Sequence, residues 1–127
     1  MNEKNYLRLY EGNQKYMKES DAELRSVLAK EGQQPYAIVI CCSDSRVIPE
    51  QIFSANPGEL FVIRVAGNVL DDHQLGSVEY AAAHLHTKEV IVLGHTGCGA
   101  ISAALSGGGE GFIKYITDDI IEAIGEE

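Results

Sequence analysis

Three short apolar runs alternate with helix-like segments along this chain of 127 residues. The runs cover residues 36–41, 60–65 and 89–94. Apart from Arg64, Glu89 and Gly94, every residue of these runs is apolar, a pattern typical of parallel strands that are covered on both faces. Because helical patterns separate the runs, we predict an α/β fold in which helices flank a parallel β-sheet. The predicted strand order is 2-1-3, with a further strand allowed.

Helical patterns surround these runs. Residues 3–18 carry an imperfect apolar stripe that Gly12 interrupts. Ser20 and Glu23 have the spacing of a capping box, so we predict that Ser20 caps a second helix, which ends at Gly32. Further helices are predicted at about residues 75–86, within residues 96–106 and over residues 111–125.

These segments predict a single domain with three parts. A helical N-terminal extension covers residues 1–32, an α/β core covers residues 33–106, and a C-terminal helix lies within residues 107–127. The sequence contains no internal repeat that would divide the chain differently.

Composition and charge narrow the classes of function. Hydrophobic residues make up 45% of the chain and charged residues 23%, as in an ordinary globular protein. No apolar run approaches the roughly 20 residues of a membrane helix, and residues 1–5 are polar. We therefore expect a cytoplasmic protein without a membrane partner. The net charge of −9 argues against a nucleic-acid partner, because phosphate binding needs a basic surface.

Polar motifs follow the first and the third apolar run. Residues 42–46 read CSDSR, and residues 95–99 read HTGCG. In an open parallel sheet, ligands gather at the carboxyl ends of the strands. In the order 2-1-3, the first and third strands are neighbours, so both motifs are expected to face one crevice.

Cys42, His95 and Cys98 are the candidate metal ligands of these motifs. Zinc binds cysteine sulfur and histidine nitrogen in tetrahedral geometry, and a catalytic site keeps its fourth position open. Cys41 is expected on the opposite face of its strand, where it serves as a small core residue. No other cysteine is therefore placed to complete a closed site with four ligands.

Asp44 and Arg46 are two residues apart on one loop and could form a bidentate ion pair. In that pair, Asp44 is ionised and can accept a hydrogen bond from water at the zinc. Without the pair, Asp44 could itself become the fourth zinc ligand and close the site. Either motif alone is a weak signal, whereas the two together, each after an apolar run, are a strong one.

With both motifs in place, residues 33–105 resemble the β-class carbonic anhydrases, and in particular their plant-like subgroup. CSDSR matches the first zinc motif of that family and HTGCG matches the second. Intermediate matches lie at residues 57–59, 61–64 and 78–81. The resemblance implies a zinc lyase, with one Zn²⁺ per chain, that reversibly hydrates carbon dioxide to bicarbonate and a proton. Members of the family continue past the point where this sequence stops, so a short or C-terminally truncated member is expected.

The resemblance also implies roles for individual residues. Cys42, His95 and Cys98 match the zinc ligands, and Asp44 and Arg46 match the catalytic pair. The residues that match the substrate-binding positions are Gln33, Phe61, Ala66, Tyr80 and Gly97. Family members form dimers or larger assemblies, so a homodimer or a higher homo-oligomer is expected.

Two residues outside the motifs, Arg64 and His84, have alternative interpretations. Arg64 matches an arginine of an inhibitory bicarbonate site found in one subgroup of the family, but Val39 stands where that site has tryptophan. Arg64 is therefore interpreted as structural. His84 lies four residues after Tyr80 and is interpreted either as a proton relay or as a packed or surface histidine.

Two other functions are compatible with the same motifs. One is hydrolysis of carbon disulfide or carbonyl sulfide on the same scaffold. The other is a non-catalytic zinc-binding paralogue. The intact pair of Asp44 and Arg46 argues against the second, because a structural zinc needs neither an open position nor a catalytic pair.

Overall fold

The structure, a computed structural model, describes residues 1–125, which form two compact units, one over residues 1–33 and one from residue 34 onward. Residues 126 and 127, which the predicted C-terminal helix included, lie outside the described residues. Gln33 is the last residue of the first unit, and the predicted division of one domain into three parts stays a prediction.

Two helices make up the first unit, α1 (Glu3–Glu19) and α2 (Ala22–Glu31). The predicted cap of α2 was wrong by one residue. Asp21 is the N-cap, and its carboxylate accepts a hydrogen bond of 2.9 Å from the Leu24 N–H. A carboxylate is favoured there because it also opposes the positive end of the helix dipole. Ser20 instead ends α1.

The second unit alternates strands and helices, as the sequence predicts. Its elements are β1 (Ala37–Cys41), α3 (Pro49–Ile52), β2 (Leu60–Arg64), a 3₁₀ turn (Ala66–Asn68), α4 (Asp72–His84), β3 (Val90–Val92), α5 (Gly99–Leu105) and α6 (Ile113–Ile124). The sequence did not predict α3 or the 3₁₀ turn, because each is shorter than the periodicity that a helical pattern needs.

The sheet is parallel, and its order β2-β1-β3 confirms the predicted order. The central Ile38 pairs with Phe61 of β2 and with Val90 of β3. Over residues 1–125 the sheet has three strands, so the further strand that the pattern allowed is not found there. β1 is buried along its whole length, as its continuous apolar run predicts.

The same prediction was wrong for β3. Val90, Ile91 and Val92 are 48%, 42% and 69% exposed. β3 lies at an edge of the sheet and pairs only with β1 among the described strands, so an apolar composition did not guarantee coverage. An apolar run indicates that a segment tends to be buried. Its actual burial depends on which elements pack against it.

Alternate residues of β1 supply the core on each side of the sheet. On one side, Ile38 and Ile40 pack with Ile63 and Ala81. On the other side, Val39, Cys41 and Val47 form a second buried cluster, which confirms Cys41 as a core residue. Burial raises the pKa of the Cys41 thiol, so this side chain remains neutral in the core.

Replacing Ile38 with alanine is expected to lower the free energy of unfolding by about 2–5 kcal/mol, because the change leaves a cavity in a fully buried position. The exposed Val92 offers a matched control, and Val92→Ala is expected to change stability by less than about 0.5 kcal/mol. Urea unfolding followed by circular dichroism measures both values. Equal losses would contradict the assignment of the core to β1.

None of the helices within residues 1–125 is both long enough and apolar enough to cross a membrane.

Candidate metal centre

Three segments that follow the strands build the site. The first is the loop of residues 42–46 after β1, the second is the 3₁₀ turn after β2, and the third is the loop of residues 95–98 after β3. Such a position, at the carboxyl ends of neighbouring parallel strands, is where the sequence predicts a ligand site.

Arg64 ties the first loop to the end of β2. Its Nε donates a hydrogen bond of 3.1 Å to the Cys42 carbonyl, and its Nη2 donates one of 2.8 Å to the Asp44 carbonyl. Asn68 joins the 3₁₀ turn to the end of β3 by donating from Nδ2 to the Leu93 carbonyl at 2.9 Å. The three segments are therefore held together by hydrogen bonds to backbone carbonyls, and Arg64 has a structural role.

Cys42, His95 and Cys98 bring three metal-ligand atoms together. Two sulfurs and one ring nitrogen lie within 4.8 Å of one another, and no other group of this kind occurs in the part of the chain that the structure describes. The two sulfurs are 4.0 Å apart. Tetrahedral zinc with Zn–S bonds of about 2.3 Å places two sulfurs roughly 3.8 Å apart, so the spacing fits that ion.

The ring of His95 is oriented for metal binding. Its Nδ1 donates to the Thr96 carbonyl at 2.9 Å, because a carbonyl oxygen can only accept. The Nε2 atom is buried and has no hydrogen-bond partner among residues 1–125. A buried polar atom without a partner is costly, and a metal ion would satisfy its lone pair. The Nδ1 hydrogen bond thus selects the tautomer in which Nε2 is free to bind the metal.

The surroundings of Cys42 lower the pKa of its thiol, which favours metal binding. Burial raises the pKa of the Cys42 thiol, but hydrogen bonds from the Gly67 N–H, at 3.4 Å, and from neighbouring groups outweigh burial and lower the pKa to about 7. The thiolate is the form that binds metal, and it is well populated at neutral pH. The Cys42 sulfur in turn raises the pKa of His95.

Asp44 and Arg46 form a bidentate ion pair. Arg46 Nε lies 3.1 Å from Asp44 Oδ1, and Arg46 Nη2 lies 2.9 Å from Asp44 Oδ2. The Arg46 backbone N–H adds a hydrogen bond of 2.8 Å to Oδ1. These contacts with Arg46 hold the pKa of the Asp44 carboxyl well below its usual range. Asp44 is thus ionised, and both of its oxygens are engaged.

Arg46 also connects the first loop to the third. Its Nη2 donates to the Thr96 carbonyl at 2.9 Å, and the Gly97 carbonyl lies 3.4 Å away. Gly97 has a φ of +63°, a conformation that favours glycine. Asp44 Oδ2 lies 3.9 Å from His95 Nδ1, and the carboxylate is outside the group of three candidate ligand atoms. Arg46 therefore holds the Asp44 carboxylate beside the ring of His95.

The other predicted site residues are distributed over the fold. Phe61 lies on β2 and its ring centroid is 6.0 Å from that of Tyr80 on α4. Tyr80 stacks on His84 at 5.5 Å, and His84 is exposed. Ala66 begins the 3₁₀ turn. Gln33 belongs to the first unit, and the role of all these residues toward a substrate stays a prediction.

The sequence did not predict a role for Gly67 and Asn68 at the site. The available signal was the Gly-Asn pair directly after the second apolar run, since both residues accept a positive φ in tight turns. Their φ values are +72° and +60°. A turn of this kind was predictable, but its contact with Cys42, a candidate metal ligand on the loop after β1, was not.

Comparison with known proteins identifies the family to which the chain is similar. The sequence profile of the family described as "Carbonic anhydrase" matches residues 37–126. "Carbonic anhydrase 2" of Mycobacterium tuberculosis is 39% identical over 124 residues, which cover 91% of this chain and 59% of that protein. Both motifs lie within the matched profile.

Solved structures agree with this result. The β-carbonic anhydrase of Coccomyxa, solved in complex with acetazolamide, is 35% identical with a TM-score of 0.80, and the match covers 92% of this chain and 56% of that one. A tetrameric β-carbonic anhydrase of Sordaria macrospora is 30% identical with a TM-score of 0.78, covering 91% and 61%. This chain therefore spans a little over half the length of these relatives. On the family profile, the fold and the shared sequence, the chain belongs to the β-class carbonic anhydrase family.

Proposed function

We propose that this protein is a zinc-dependent lyase that interconverts carbon dioxide with bicarbonate and a proton. The observation that carries the proposal is the position of the Asp44–Arg46 ion pair beside the ring of His95, one of the three candidate metal ligands. A purely structural zinc site is closed by four protein ligands and has no use for an oriented carboxylate next to them.

One zinc ion per chain would be held by the sulfurs of Cys42 and Cys98 and by Nε2 of His95. When bound, zinc supplies a Lewis acid that lowers the pKa of water at its fourth coordination position. Two thiolates and a neutral imidazole balance the charge of the ion, so the groups beside it strongly influence the reaction.

Asp44 and Arg46 are proposed as the catalytic pair. The Asp44 carboxylate accepts a hydrogen bond from the attacking water and orients a lone pair toward the carbon of carbon dioxide. Arg46 keeps this carboxylate ionised and fixes both of its oxygens, which prevents it from filling the fourth metal position. Such positioning of a reacting group is worth several orders of magnitude in rate.

The residues proposed for substrate binding complement this pair. We propose that Gln33 and the Gly97 N–H donate hydrogen bonds to the substrate oxygens, where negative charge increases during the reaction. Phe61, Ala66 and Tyr80 are proposed to form an apolar wall, which suits an uncharged linear substrate. The proton released by the reaction passes to buffer.

We further propose that the protein is a cytoplasmic homodimer or higher homo-oligomer. A reducing compartment suits a site in which two ligand cysteines must remain thiolates, and the three cysteines are free. Oligomerisation is supported by the tetrameric relative of Sordaria macrospora and by the exposed apolar side chains of this chain, among them Tyr80, Phe112 and Tyr115.

Stopped-flow measurement of carbon dioxide hydration at alkaline pH, on protein whose zinc content has been measured, tests the proposal. We expect zinc-loaded protein to catalyse hydration, chelated protein to lose this activity, and added zinc to restore it. Carbon disulfide and carbonyl sulfide serve as competing substrates in the same assay. Faster turnover of either one would favour the hydrolase, and inactivity toward all three at one zinc per chain would favour the non-catalytic paralogue.

A further inference from the structure

Gly67 lies between α6 and the sulfur of Cys42. Its N–H donates a hydrogen bond of 3.4 Å to Cys42 Sγ. On its other side, a Cβ atom at position 67 would lie 2.8 Å from Cδ1 of Ile120 and 3.0 Å from Cβ of Ala100. Glycine is therefore the residue that lets the turn approach α5 and α6 this closely while its N–H reaches the sulfur.

The position of Gly67 is fixed from several sides. Ile120 of α6 is 4% exposed, so its side chain has little room to move away. Ala100 of α5 has no rotatable side chain with which to yield. Asn68, the next residue of the turn, is held to the end of β3 through the Leu93 carbonyl. The turn is thus packed against two helices and bonded to a strand, and its N–H points at a proposed metal ligand.

We propose that Gly67 is a positioning residue of the metal centre, and that α6, through Ile120, holds the Gly67 N–H against the Cys42 sulfur. The inference rests on the proposed metal site. A donor of this kind restricts the direction of the sulfur lone pairs and withdraws electron density from them. Partners of this type, one bond away from the metal ligands, commonly change metal affinity by about 10- to 100-fold.

Cobalt(II) is the probe that tests this inference, because it substitutes for zinc and its thiolate charge-transfer absorption reports the electron density on the sulfur. Gly67→Ala places a methyl group against Ile120 and Ala100 and forces a positive φ on alanine, so the turn must move. We expect Gly67→Ala to bind Co²⁺ about 10- to 100-fold more weakly than the unaltered chain. We also expect its charge-transfer band to shift to lower energy, because the sulfur loses a hydrogen bond.

Three further variants make the result specific. Ile120→Ala leaves Gly67 intact but removes the side chain behind it, and we expect a smaller shift of the band in the same direction. The double variant Gly67→Ala/Ile120→Ala gives the new methyl group room, and we expect it to recover part of the affinity that Gly67→Ala loses. Gly76→Ala on α4, where a Cβ meets nothing within 4 Å, is the matched control and should leave both readouts unchanged.

The outcomes separate this inference from the metal site itself. If the unaltered chain binds no Co²⁺, the proposed metal site fails. If that chain binds Co²⁺ and Gly67→Ala binds it equally well with the same band, the inference is overturned and the metal site stands. A loss of affinity without a band shift would show a structural effect only and would also overturn it. Should circular dichroism show Gly67→Ala to be unfolded, the band position of Ile120→Ala decides: a shift supports the inference, and an unmoved band overturns it.

Discussion

Replacing Cys42 with alanine is expected to reduce the zinc content from one ion per chain to none, and carbon dioxide hydration to the uncatalysed rate. The change removes one of three ligands and one of the two negative charges that balance the ion. The two remaining ligands, His95 and Cys98, lie on one loop and cannot supply tetrahedral coordination alone. Elemental analysis after dialysis measures the metal content, and stopped-flow kinetics on the same sample measures the rate.

Cys41→Ala is the matched control for this prediction. Cys41 is the adjacent residue, has the same side chain and is fully buried, but it packs with Val39 and Val47 on the opposite side of the sheet. We expect Cys41→Ala to keep its zinc and its activity, and to lose about 1 kcal/mol of stability. Zinc retained by Cys42→Ala, or lost by Cys41→Ala at equal foldedness, would contradict the ligand assignment.

Replacing Asp44 with asparagine is expected to lower the hydration rate by about 10²- to 10⁴-fold, while one zinc per chain is retained. Asparagine has nearly the same shape, but it carries no charge, cannot form an ion pair with Arg46 and presents one accepting oxygen instead of two. The attacking water then loses the group that orients it. Arg46→Lys is expected to lower the rate as well, because an ammonium cannot bind both carboxylate oxygens and the Thr96 carbonyl in the same fixed geometry.

Asp118→Asn provides the surface comparison for Asp44→Asn. Asp118 is also paired with a cation, Lys114, at 2.6 Å, but it lies on the exposed face of α6. This variant should hydrate carbon dioxide at the unaltered rate. An Asp44→Asn variant that is fully active, or one that has lost its zinc, would remove the basis for the proposed catalytic pair.

The central part of the fold was predictable because its sequence signals are local. β1 is a continuous apolar run and is buried along its length, so composition alone indicated a central strand. The first motif directly follows β1, the second begins three residues after the end of β3, and the parallel order brings Cys42 and His95 together. Strand order and motif position were sufficient for this result, since the carboxyl ends of neighbouring parallel strands share one edge.

Where local signals competed or were absent, the prediction failed. Ser20 and Asp21 can each cap a helix. Asp21 is the N-cap of α2, because its carboxylate also interacts with the helix dipole. The exposure of β3 depends on its position at the sheet edge, which its own composition does not encode. The role of Gly67 depends on Ile120, more than fifty residues away in sequence. Contacts of this range are set by packing, and no short window of sequence contains them.

Arg64 links the shape of the proposed metal centre to the correct alignment of β1 and β2. Arg64 pairs in register with Cys41, and from that position its guanidinium reaches the carbonyls of Cys42 and Asp44. A slip of β2 by one residue would turn its side chains to the opposite faces and move the guanidinium away from both carbonyls. A chain with misaligned strands would therefore lack a properly shaped first loop, so a completed metal centre reports that β1 and β2 have aligned correctly.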